Sequence, residues 1–149
     1  MNTIEGKVIS GYGVASGRGK DPRYPDGTLI LQLPHFKQKG LDLRKYYRGT
    51  INIDINPLEY SINKPTHFIK RVNWSNFIPP ENFYFFEVEL VFKEQNYFGL
   101  VYMPDPETKT DHHQINTMLE VIMPPIKGIE AGKNVTLLIR EECLNFKRK

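Results

Sequence analysis

A chain of 149 residues that is 40% hydrophobic and 25% charged carries enough apolar material for one folded core, and too much for a disordered segment. A net charge of +3 is far from the dense basic stripe of a dedicated nucleic-acid binder and suits an anionic small-molecule ligand at least as well. A lone cysteine, Cys143, excludes an internal disulfide framework. The opening residues lack the apolar stretch of a signal peptide, and no run approaches a membrane span. A single cytoplasmic domain over residues 1–149 is the expectation.

Residues 4–10 predict a first strand. It runs into Gly11-Tyr12-Gly13-Val14-Ala15-Ser16-Gly17-Arg18-Gly19-Lys20, where closely spaced glycines let backbone N–H groups approach an anion. This is not a P-loop, because Asp21 follows Lys20 and Val14 stands where the earlier glycine is required. A plain flexible loop is the competing reading. Residues 21–27 carry turn chemistry. Residues 28–33 predict a second strand closed by Pro34, and the polar stretch 35–45 has room for a short helix.

Residues 50–55 read as a central strand fed by a turn at Gly49. Alternation puts Ile51, Ile53 and Ile55 on one face and Thr50, Asn52 and Asp54 on the other. A hydroxyl, an amide carbonyl and a carboxylate in a row suit a hard cation such as Mg²⁺. The same alternation also marks an ordinary strand with one face towards water.

Residues 58–82 read as irregular, punctuated by Pro65, Pro79 and Pro80 and pinned by Trp74, Phe77 and Ile78. Residues 83–92 alternate most clearly, and with a turn at 93–96 and a partner at 97–103 they predict a hairpin. The charged loop that follows holds His112 and His113, an adjacent pair with no second cluster at zinc spacing. Strands at 119–123 and 135–139 and a short tail helix complete the reading. Strands do not alternate with helices. The expected fold is therefore mainly β: a compact six- to seven-stranded barrel with one or two short helices.

Five segments occur in an order that resembles the archaeal CTP-dependent riboflavin kinases, which are cradle-loop β-barrels. They are Gly6-Lys7-Val8-Ile9-Ser10-Gly11-Tyr12-Gly13, Tyr47-Arg48-Gly49-Thr50-Ile51-Asn52, Gly99-Leu100-Val101-Tyr102-Met103-Pro104, Leu119-Glu120-Val121-Ile122-Met123-Pro124 and Ala131-Gly132-Lys133-Asn134-Val135-Thr136. The resemblance spans most of the chain, and its most specific piece is Gly49-Thr50-Ile51-Asn52. It implies transfer of a phosphoryl group from a nucleoside triphosphate, CTP in that family, to riboflavin, giving FMN. It implies Mg²⁺ on Thr50 and Asn52. Ser10, Gly11, Tyr12, Gly13 and Gly49 would lie at the nucleotide, and Glu120 would bind riboflavin or orient its hydroxyl.

The chain also departs from that pattern. The stretch 15–27 is longer and adds Arg18, Lys20 and Arg23 near the implied phosphates, and the loop 105–114 is longer too. The segment after Pro125 is shorter, and Asp54 occupies a position that is usually uncharged or basic. Two other readings follow from the residues. One is a non-catalytic barrel holding a flavin, nucleotide or other anionic metabolite. The other is a nucleic-acid binder that uses Lys70-Arg71 beside Trp74 and Tyr46-Tyr47-Arg48 as stacking and charge contacts.

Overall fold

The structure is a computed structural model, and it describes residues 1–11, 28–105 and 116–149, with Ser10 and Gly11 described by their backbone alone. Nine strands and one helix lie among the described residues. In chain order they are β1 (Asn2–Gly11), α1 (Thr28–Gln38), β2 (Ile51–Asp54), β3 (Leu58–Ile62), β4 (His67–Val72), β5 (Glu81–Phe92), β6 (Gln95–Pro104), β7 (Met118–Ile122), β8 (Asn134–Ile139) and β9 (Leu144–Arg148).

The sheet order β4-β5-β6-β7-β2-β1-β8 closes through a further pairing of β8 with β5. The result is a closed six-stranded barrel with β4 as an added strand. The length of β5 makes the closure possible. Its first half pairs with β4, from His67 opposite Phe85 to Val72 opposite Glu81. Its second half pairs with β8, from Val88 opposite Ile139 to Val91 opposite Thr136. A separate two-stranded ladder joins β3 to β9.

Alternation fills the barrel. Phe86, Val88, Leu90 and Phe92 of β5 point inward, where they meet Ile51 and Ile53 of β2, Leu119 and Val121 of β7, and Leu137 of β8 in one buried cluster. Ile51, Ile53 and Ile55 are all buried there, as the isoleucine spacing predicts.

A second apolar layer lies on the outer face of β4 to β7. Ile69, Phe83, Phe85, Leu100, Tyr102 and Ile122 are covered by Leu29 and Phe36 of α1 and by Leu43. The Phe36 ring stands edge-on to Phe83 at 5.0 Å and to Phe85 at 5.1 Å, the geometry that aromatic quadrupoles favour. Burying one such side chain contributes about 2–3 kcal/mol.

Three local expectations are corrected. Residues 28–33 are not a strand but the first half of α1, which continues through Pro34. An interior proline costs a helix about 3 kcal/mol, so the sequence reads as a break. Here the burial of Leu29, Gln32 and Phe36 at helical spacing offsets that cost. Residues 58–82 are not irregular, since they hold β3 and β4. Phe77 is exposed, whereas Trp74 packs on the second layer and donates from Nε1 to Glu81 Oε1 at 3.1 Å. The tail forms β9 rather than a helix, with Leu144 buried and Phe146 packed against the core. No helix among the described residues is long and apolar enough to cross a membrane.

Candidate functional site

The outer face of β2 and β7 carries the polar residues singled out by the sequence. In the ladders, Ser10 stands opposite Asn52, Asn52 opposite Glu120, and Glu120 opposite Tyr102. Direct cross-strand partners share one face of a sheet. Four strands thus bring a row of polar positions together across the wall of the barrel.

Thr50 joins this row from the end of β2. The Tyr47 N–H donates to the Met123 carbonyl at 2.9 Å, which holds the entering chain against the end of β7. Two residues on, Gly49 lies in a buried bend. Thr50 follows with 1% exposure, and its Oγ1 donates to Glu120 Oε2 at 3.0 Å. It therefore does not face water, as a plain half-exposed strand would require. Asn52 and Glu120 are half-buried beside it.

The donor set fits a hard cation. The Thr50 proton is directed at Glu120, which leaves lone pairs of Oγ1 as acceptors. Asn52 makes polar contacts of its own, and its Oδ1 is a buried oxygen with no hydrogen bond. Two neutral oxygens and a carboxylate suit Mg²⁺, which keeps several waters and shares phosphate oxygens. Among the described residues no group of three or more His, Cys, Asp or Glu side chains is placed to hold a metal. Asp54 does not extend the set: its Oδ1 accepts from the Asn56 backbone N–H at 2.9 Å and from Asn56 Nδ2 at 3.1 Å, closing a local turn.

Two tyrosines border the site that the sequence alone did not single out. Tyr102 is fully buried, and its hydroxyl donates to Gln32 Oε1 of α1 at 2.7 Å. Burial first, and then the negative charge of Glu120, hold the Tyr102 phenol well above its usual range. The same two causes in the same order push Tyr60 up to about 12. Glu120 thus places negative charge near both phenols, with Glu81 adding to it at Tyr102, a field that a cation in this corner would meet favourably. The sequence did hold one signal for Tyr102: it is the polar-tipped residue in the apolar run from Leu100 to Met103, on the same face as Leu100.

Tyr12, Gly13, Arg18, Lys20, His112 and His113 lie outside the described residues. Ser10 and Gly11 are placed by backbone register alone, Gly11 opposite Ile51. Of the cations suggested as nucleic-acid contacts, Lys70 lies against a local ring, its Nζ 5.6 Å from the Phe68 ring centre. Neither a protein-family model nor a curated protein matches the chain.

Proposed function

We propose that this protein is a nucleotide-dependent phosphotransferase of the riboflavin kinase type, using a CTP-like donor and Mg²⁺ to convert riboflavin to FMN. The observation that supports this reading best is the meeting of Thr50, Asn52 and Glu120, three positions taken from two separate segments of the resemblance, on one face of adjacent strands. Thr50 and Asn52 would hold Mg²⁺, which supplies charge neutralisation at the nucleotide phosphates. Glu120, fixed through Oε2 by Thr50, orients the acceptor hydroxyl and accepts its proton as the hydroxyl oxygen bonds to the terminal phosphorus. The phosphorus–oxygen bond to the nucleoside diphosphate breaks in the same transfer. Such chemistry asks mainly for positioning and electrostatics, so a site with few catalytic side chains is sufficient.

The test is turnover by Asn52→Ala and Glu120→Gln. Both variants are expected to lose FMN formation while keeping the melting profile of the parent. Full activity in both would refute the assignment.

A further inference from the structure

A cavity of about 420 Å³ lies elsewhere on the outer wall, over β5, β6 and β8. Neither Thr50, Asn52 nor Glu120 lines it. The volume is in the range of sites that enclose small molecules. Its floor is a ladder: Glu89 has Phe98 directly opposite on β6 and Leu138 directly opposite on β8, and Glu87 stands opposite Leu100. The overhanging wall is the segment after α1, with Leu41, Leu43 and Tyr46. Phe98 is 65% exposed, a large ring presented to solvent at a concave surface instead of being folded into either apolar layer.

The charges around the cavity are of both signs, but several are already engaged. Asp42 is clamped by Arg44, with Nε 3.0 Å from Oδ1 and Nη2 2.7 Å from Oδ2. Arg140 Nη1 lies 3.7 Å from Glu142 Oε1. Lys45 sits over the Tyr46 ring at the rim, and His67 lies on the β4 side. Glu87 and Glu89 remain on the floor, Glu89 accepting one hydrogen bond from Asn96. Two carboxylates one same-face step apart thus line the cavity together with the Phe98 ring and Tyr46.

We infer that this cavity is a second ligand site, separate from the phosphotransfer site, and that it takes a small aromatic amine. The ring would lie against Phe98, with its ammonium towards Glu87 and Glu89. The inference does not depend on the kinase reading.

Its test is titration of the isotope-labelled full chain with tryptamine and, in parallel, with indoleacetate, following backbone amide shifts. Tryptamine is expected to saturate, to move the amides of residues 87–89 and 98–100, and to bind at least about tenfold tighter than the anion. Phe98→Ala should weaken tryptamine by about tenfold, and Glu87→Gln with Glu89→Gln should remove the preference for the amine. Phe98 and Glu87 are exposed and Glu89 is half-buried, and an unchanged amide spectrum away from the cavity reports that the variants fold. Three outcomes overturn the inference: no saturable shift, shifts centred elsewhere, or equal affinity for amine and acid.

Discussion

Thr50 Oγ1 donates a 3.0 Å hydrogen bond to Glu120 Oε2, tying together two residues 70 positions apart in the chain. This bond couples two strand positions, because it fixes the carboxylate and directs the hydroxyl proton at it. Thr50→Val keeps the shape and removes the hydroxyl. It should reduce turnover by about 10- to 100-fold, as loss of a group that holds a metal or orients its neighbours does. It should cost roughly 1 kcal/mol in stability for the lost hydrogen bond. Thr50→Ser should recover most of both. Activity measured against Mg²⁺ concentration, beside a urea melt, separates the two effects.

Tyr60 and Tyr102 set an alkaline limit. Both phenols have folded values above the ordinary 10, Tyr60 at about 12, with burial as the first cause and Glu120 as the second. Above pH 10 the unfolded chain gives up these protons while the folded chain keeps them. The unfolded state then binds fewer protons, and stability falls as pH rises. This contribution is complete below pH 10 and declines as pH climbs towards the folded values. Melting temperature should thus drop above pH 10, with a shallower drop in Tyr60→Phe. A melting temperature independent of pH across that range would contradict the assignment.

Tyr102→Phe tests the link between α1 and the barrel. It removes the donor to Gln32, itself 1% exposed, and leaves that amide oxygen buried without the hydroxyl. A loss of about 1–3 kcal/mol in a denaturant melt is expected. Restoring an apolar partner in Tyr102→Phe with Gln32→Leu should recover part of it.

Gly99 is held by close approach. A Cβ built there would stand 2.1 Å from the Ile122 carbonyl oxygen and 2.8 Å from Met123 Sδ. The oxygen belongs to the backbone at the end of β7 and cannot swing aside. Gly99→Ala should therefore cost at least about 1–3 kcal/mol, the usual range for overpacking. A variant as stable as the parent would show that β6 and β7 are further apart at this point.

The β5–β6 turn is open to improvement. Lys93 and Glu94 connect the strands with φ of 51° and 65°, between Phe92 and its partner Gln95. Two positive φ values suit Asn-Gly far better than two long side chains. Lys93→Asn with Glu94→Gly should raise stability by about 1 kcal/mol, read from the thermal midpoint.

Clean alternation made much of the barrel legible. The isoleucines of β2, the inward residues of β5 and the short runs of β7 and β8 each announce a buried face, and the structure places them together. The helix α1 was hidden because Leu29 to Leu33 is nearly all apolar, so no period shows until Phe36 is counted, and Pro34 stands in the way. β3 and β9 were hidden for another reason. They pair across most of the chain, Leu58 with Arg148, and each has little buried surface to mark it. At the site, the shared face of Thr50 and Asn52 followed from spacing, whereas the placing of Glu120 against them depends on which strands are neighbours. Gln32 reaches Tyr102 only through helix-on-sheet packing, which no local pattern encodes.

The central claim is that this barrel transfers phosphate to riboflavin. The most direct measurement incubates the purified chain with riboflavin and Mg²⁺ and, separately, CTP, ATP, GTP or UTP, and resolves the flavins by chromatography. The account predicts FMN that depends on both nucleotide and Mg²⁺, with CTP the preferred donor. No FMN from any donor, with the protein folded and Mg²⁺ in excess, would contradict it and leave the barrel as a binding module.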